Sequence, residues 1–250
     1  MPVGGLSCWG AVIDSDPKIA HGSAPTIDEL VLADEPERWS ALGFTVLDGH
    51  IQVGDVRLRL VGRAAGRGII GWSLRALASV ELDGLPTTHS QSPPPTASPA
   101  HSNGVCAVDH IVVMTPALDR SVRALQAAGL DLRRIREQPT PAGAPRQAFF
   151  RLGAEILEVV QEPDGAVGPD GAMGRDGAVG RDGGEDRPAR LWGLALSVED
   201  LDRAAGLMAP HLGEVRPAVQ PGRRIATVRR SAGLAVPVAL MSLASARERA

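Results

Sequence analysis

Tyrosine is absent from this 250-residue sequence, and aromatic residues of all kinds make up only 3% of it. Base-stacking platforms are therefore not expected, since single-stranded nucleic acid is gripped by successive aromatic rings. Basic charge is not in excess either. The formal net charge is -3, whereas a nucleic-acid binder carries a strongly basic face, so no nucleic-acid partner is expected. No apolar run approaches the ~18 residues that a membrane helix needs, and no membrane partner is expected. Cysteine is scarce: Cys8 and Cys106 match no metal-ligand spacing and cannot build a disulfide framework. The opening segment MPVGGLSCWGAVIDSD lacks a basic stretch followed by an apolar one, so no secretory leader is read there and the chain reads as cytoplasmic. The patterns GxSxG, CxxC, HExxH and GxxxxGK[ST] are missing as well, which leaves serine-hydrolase, zinc-ribbon, zincin and phosphate-loop chemistry without support.

What is present is enough apolar sequence for a substantial core, 44% of the residues, interrupted by two polar tracts. Residues 83–104, DGLPTTHSQSPPPTASPAHSNG, are crowded with Pro, Ser and Thr and read as a mobile linker. Residues 162–189 carry glycine at every third position from Gly165 to Gly183. That period is collagen-like, but the tract is short and Pro169 is the one proline between Gly165 and Gly183, so it reads as a flexible insertion. The first 25 residues mix Gly, Pro and Asp without periodicity and read as a loosely held tail.

Between and after these tracts one unit recurs. In residues 105–161 a continuous apolar strand, VDHIVVM, leads to a helix with Asp119 as candidate cap and Gly129 as stop. Three strands follow, Leu130–Arg136, Gln147–Leu152 and Glu155–Gln161, in the order βαβββ. Residues 190–245 repeat that order: RLWGLALSV, the helix EDLDRAAGLMAPHL, then strands around Glu214–Val219, Arg224–Arg229 and Val236–Ser242. A compressed copy lies at 26–82, with TIDELVLA, EPERWSALG, FTVLDG, HIQVG and DVRLRLVG in the same sequence of roles. After it, GIIGWSLRAL is similar to the opening strand RLWGLALSV of a fourth copy that stops at the linker. Each copy is an open half-sheet that must pack against another to close a core. The expected fold is α+β: paired βαβββ modules in a curled mixed sheet, plus an incomplete N-terminal module. The sheet edge left by that incomplete module would be covered by the pair or by a second copy of the chain in a homodimer.

A paired βαβββ unit with Asp109-His110 in its first strand and Glu158 in its last, ILEVV, resembles the vicinal oxygen chelate superfamily. That group includes the glyoxalase I, bleomycin-resistance and extradiol-dioxygenase proteins, and the resemblance is greatest to glyoxalase-like domains. It implies a cup that takes a small-molecule ligand at its centre. It also implies a divalent metal ion there, with His110 and Glu158 as ligands from the first module. The second module departs from the pattern: Gly193 stands at the histidine position and Leu240 or Ala239 at the glutamate position. In the N-terminal copy Glu29 stands where His110 stands and Arg59 replaces the glutamate. Glu29 is the first candidate for a third ligand.

His110 and Glu158 are the candidate catalytic pair, as acid and base or as metal ligands. Alternatively, they are a hydrogen-bonded pocket histidine and an ion-paired strand glutamate. Arg146, Gln147, Arg190, Trp192, Arg223 and Arg224 lie at strand starts and loops bordering the cup and are the candidate substrate-binding residues. Their guanidinium groups suit a carboxylate or phosphate, with Trp192 as an apolar wall. Any one of them alone reads equally as a charge that blunts a strand edge. Trp39 and Trp72 read as packing residues. Two functions stay open: isomerase or lyase chemistry on a small, oxygen-rich, anionic metabolite, or metal-free sequestration of a ligand in the manner of bleomycin-resistance proteins.

Overall fold

A computed structural model describes residues 24–139, 143–163 and 186–243. The expected tail up to residue 23 and most of the glycine-rich insertion lie outside the described residues. The described residues form a five-stranded and an eight-stranded sheet, and one apolar core runs through both.

The N-terminal sheet begins with β1 (Thr26–Leu32) and α1 (Pro36–Ala41). Pro36 opens the helix, where its missing N–H would have had no partner. Trp39, fully buried, meets Phe44 edge-on at 4.9 Å between ring centres. Strands β2 (His50–Val53) and β3 (Val56–Leu60) form a hairpin, followed by β4 (Ile69–Arg75) and β5 (Thr87–His89). Their order is β2-β3-β1-β4-β5, with β1 parallel to β3 and antiparallel to β4.

Two expectations are corrected here. FTVLDG forms no strand and retains only a single bridge between Leu47 and His50, because Asp48 and Gly49 both take positive φ, 48° and 75°, and turn the chain immediately into β2. The tract 83–104 is not a loose linker. It carries β5, Leu85 is buried, and His101 and Asn103 are buried with partners. The Thr45 amide donates to His101 Nδ1 at 3.1 Å, while His101 Nε2 bonds the Gln52 carbonyl at 3.0 Å. Asn103 Nδ2 donates to the Leu42 carbonyl that α1 leaves open, at 2.9 Å. Polar residues that composition assigns to solvent here close the open edge of β2 and the end of a helix.

The eight-stranded sheet is built by β6 (Val105–Thr115), α2 (Leu118–Ala127), β7 (Asp131–Arg136), β8 (Gln147–Leu152) and β9 (Glu155–Gln161). The second module supplies β10 (Arg190–Val198), α3 (Leu201–Leu207), β11 (Arg216–Pro217), β12 (Arg224–Thr227) and β13 (Val238–Ser242). The order is β11-β12-β13-β10-β6-β9-β8-β7. The opening strands β6 and β10 pair antiparallel at the centre, and each is parallel to the last strand of its own module. Asp119 does not cap α2. The cap position is Ala117, and Asp119 lies in the first turn. Asp200 caps α3, accepting from the Asp202 and Arg203 amides at 3.0 Å each.

The fourth-copy reading gains a specific counterpart. In β10 the Leu194 amide donates to the carbonyl of Pro237, which precedes β13, and in β4 the Trp72 amide donates to that of Pro86, which precedes β5. The residue before each donor is glycine. A Cβ on Gly193 would stand 2.9 Å from the Pro237 oxygen, and one on Gly71 would stand 3.3 Å from the Pro86 oxygen. The β4–β5 pair thus repeats β10–β13 without the helix and strands between.

Candidate functional site

Alternation along the strands sorts the side chains of the larger sheet. Ile111, Val113, Leu157, Val159, Leu194, Leu196 and Leu240 are buried on the face covered by α2 and α3. Register places His110, Val112 and Met114 on the opposite, cup face. With them stand Ile156, Glu158 and Val160 of β9, Gln147 and Phe149 of β8, and Ala195 of β10. Val112 and Val160 form a small apolar floor with Ala144 and Met114.

Asp109 would point away from His110 in a regular strand. The β6–β10 register shifts here, with His110 opposite Ala195 and Val108 opposite Leu196, so Asp109 is the extra residue of a bulge and turns to its neighbour's side. Asp109 Oδ1 lies 2.9 Å from His110 Nδ1. Ser197 Oγ donates to Asp109 Oδ2 at 3.0 Å, and Arg223 donates to the same oxygen. Arg223 is itself anchored by Nε to the Ser242 carbonyl at 2.8 Å. Burial alone would raise the Asp109 carboxyl, but the hydrogen bonds from His110 and Arg223 outweigh it and hold the group well below the usual carboxylate range. An ionised Asp109 fixes the proton of a neutral His110 on Nδ1, which leaves Nε2 as a base.

Nε2 faces Glu158 Oε2 at 3.6 Å, just beyond hydrogen-bond length. The side chains are 15% and 18% exposed. Burial pushes the Glu158 carboxyl above its ordinary value, opposed by the weaker pull of His110, Arg134 and Arg136. Gln147 Nε2 donates to the other Glu158 oxygen. The result is a chain running Arg223, Asp109, His110, Glu158, Gln147 across the two modules. In it the imidazole Nε2 stands 3.6 Å from a carboxyl that burial pushes above its ordinary value.

Of the residues singled out in the sequence, His110, Glu158, Gln147 and Arg223 meet here. The others do not. Arg146 turns to Glu137 (2.7 Å) and Asp119 (3.0 Å), and Arg224 to Asp202 on α3 (2.8 Å). Arg190 pairs with the buried Glu162 at 3.1 Å. Trp192 is 42% exposed at an irregularity in β10. These arginines answer nearby carboxylates, so they form no ring around the cup. Asp109, Ser197, Arg134 and Arg136 are at or beside the site but were not singled out.

The donor set does not fit a divalent metal. Among the described residues no group of three or more His, Cys, Asp or Glu side chains converges for one. His110 Nε2 and Glu158 offer two donors, His110 Nδ1 is engaged by Asp109, and about three protein ligands are usual for a catalytic ion. Gly193 has no room for a side chain, Leu240 is in the core, and Ala239 has nothing to donate. Glu29, the candidate third ligand, lies in the other sheet, bonded to Arg59 at 2.7 Å.

No protein-family model matches the sequence, and no curated protein sequence is significantly similar to it. Solved structures do match. A fusion of a xylose isomerase-like TIM barrel with a 4-hydroxyphenylpyruvate dioxygenase is 11% identical over 87% of this chain and 48% of its own, with a TM-score of 0.54. Methylmalonyl-CoA epimerase from Mycobacterium tuberculosis is 17% identical over 60% of this chain and 95% of its own, TM-score 0.43. A variant of the Streptomyces coelicolor methylmalonyl-CoA epimerase, in complex with 2-nitronate-propionyl-CoA, is 20% identical over 56% of this chain and 99% of its own, TM-score 0.41. The fold is that of the vicinal oxygen chelate proteins. No helix among the described residues is long and apolar enough to cross a membrane.

Proposed function

We propose that the cup of the paired modules binds a small, oxygen-rich metabolite and moves a proton on it, in isomerase or lyase chemistry that uses no metal. The observation that carries this reading is the gap of 3.6 Å between His110 Nε2 and Glu158 Oε2, with Asp109 holding the imidazole from behind. A carbon acid beside a carbonyl can lie across such a pair, its C–H against His110 Nε2 and its carbonyl oxygen against Glu158. His110 Nε2 takes the C–H proton, the electron pair moves onto the carbonyl oxygen, and the carboxyl of Glu158 protonates that oxygen. For a 2-hydroxy carbonyl, His110 then delivers its proton to the former carbonyl carbon while ionised Glu158 takes the proton of the neighbouring hydroxyl as that oxygen becomes the new carbonyl, which completes an isomerisation and restores both groups. Positioned acid and base groups each contribute ~10²–10⁴-fold to such steps.

The test is solvent deuterium exchange. Small 2-oxo acids, 2-hydroxy acids and acyl thioesters that raise the melting temperature are incubated in heavy water and followed by proton NMR. Loss of the C–H signal with wild type, and its persistence with His110→Ala and Glu158→Gln, is the expected result. The two-donor set also favours a second reading, a bleomycin-resistance-like binder. Ligands that stabilise the protein without any exchange would establish that one instead.

A further inference from the structure

Beside the acid–base pair, the cup face carries two arginines that no carboxylate among the described residues neutralises. Arg134 and Arg136 lie on β7, opposite Phe149 and Gln147 of β8, and those residues in turn lie opposite Glu158 and Val160. Register therefore puts both guanidinium groups on the face that bears Glu158, and both act on its charge. Arg134, an exposed side chain, stacks over the Phe149 ring, 4.7 Å from its centre. Arg136 is half-buried. The contrast with Arg146, Arg190 and Arg224 is direct, since each of those is consumed by a protein carboxylate.

A second observation points to the same place. Gln147, the cross-strand partner of Arg136, is 7% exposed. Its Nε2 is spent on Glu158, and its Oε1 is buried without a donor. A buried acceptor left open costs ~1–3 kcal/mol, and a ligand O–H or N–H would satisfy it.

We infer that Arg134 and Arg136 form an oxyanion subsite, and that the ligand is a small carboxylate or phosphate with a hydrogen-bond donor beside its anionic group, presented to Gln147. This inference rests on the proton-transfer reading only for the location of the reacting carbon, between the subsite and His110. A 2-hydroxy acid has that arrangement, with its C–H next to both groups.

Isothermal titration with malate, succinate and inorganic phosphate tests it, because malate and succinate differ by one hydroxyl. Wild type binds malate with a Kd below about 10 mM and prefers it to succinate by ~tenfold, the worth of one satisfied buried acceptor. Arg134→Gln and Arg136→Gln each weaken malate and phosphate by ~tenfold or more. Gln147→Leu abolishes the preference for malate over succinate. Arg136→Lys, which keeps the charge and loses the fork, serves if the glutamine variant does not fold, and still weakens malate. Phosphate binding alone, with no preference between the diacids, overturns the donor contact. Unchanged affinity in the arginine variants, or no binding of any of the three, overturns the subsite. If deuterium exchange is absent while the arginine dependence holds, the proton-transfer reading falls and the subsite stands.

Discussion

The same bulged aspartate occurs twice among the described residues, and the two copies have been put to different uses. In β1 the register shift falls between Ile27 and Glu29. The extra residue, Asp28, accepts from Ser90 Oγ at 2.6 Å and pairs with Arg75. In β6 the extra residue is Asp109, held by Ser197 and Arg223. The residue after each bulge faces the last strand of its own module: Glu29 sees Arg59 at 2.7 Å, and His110 sees Glu158 at 3.6 Å. The first pair is a closed ion pair with opposite charges in contact. The second joins an imidazole to a carboxyl that burial biases toward its neutral form, and leaves space between them. One fold position yields a stabilising contact or a proton-transfer pair, according to which two residues occupy it.

The largest effect that would break this comparison is catalytic. His110→Ala and Glu158→Gln are each expected to lower the deuterium-exchange rate by ~10²–10⁴-fold with little change in melting temperature, while Glu29→Gln leaves the rate unchanged. Equal losses from all three would erase the distinction between the copies.

The boundary between the two units carries a pH signal of its own. Glu155, 5% exposed, is pushed up to about 7 by burial, with Asp55 of the N-terminal unit adding to the shift and Arg151 and Arg75 opposing it. A carboxyl whose folded value is raised stabilises fully below its unfolded value near 4.5. That stability is lost as pH rises through about 7, about 3 kcal/mol in all. Glu155→Gln should therefore flatten the fall in denaturation midpoint between about pH 5 and pH 8. It should leave the protein more stable than wild type at the upper end. An unchanged slope would remove Glu155 from the account.

A smaller effect concerns the missing ligands. Gly193→His would supply the histidine that the second module lacks, but its Cβ would meet the Pro237 oxygen at 2.9 Å. A loss of ~1–3 kcal/mol in stability, with no gain of zinc or manganese binding by calorimetry, is expected. The smallest effect belongs to the N-terminal pair: Arg59, with a side chain 41% exposed, should cost less than ~1 kcal/mol when replaced by Gln.

The module order was legible because β6, β9 and β10 are apolar runs bounded by Gly and Pro, and because His110 and Glu158 stand in the interior of such runs. Their meeting follows from strand alternation and the parallel pairing of β6 with β9. Asp109 was visible as a neighbour of His110 but not as its partner, since alternation sends adjacent residues to opposite faces and only the bulge reverses that. Arg134 and Arg136 were open to the same alternation argument, being two apart on a strand, but their value lies in forming no ion pair among the described residues, which only the fold reveals. The converse holds for Arg146, Arg190 and Arg224, whose partners are distant in sequence. His101 and Asn103 were lost in the composition of a Pro- and Ser-rich tract, where each one's bond to a backbone group some fifty or sixty residues away leaves no local mark.

The claim at the centre is that Asp109 holds the proton of a neutral His110 on Nδ1 and so frees Nε2 for chemistry. Proton–nitrogen correlation spectra of the histidine rings report the tautomer directly, with His110→Asn identifying the resonance. The account predicts a protonated Nδ1 and a bare Nε2 in neutral His110, and a loss of that preference in Asp109→Asn. An Nε2-protonated ring in the wild-type protein, or a tautomer indifferent to Asp109, would contradict it.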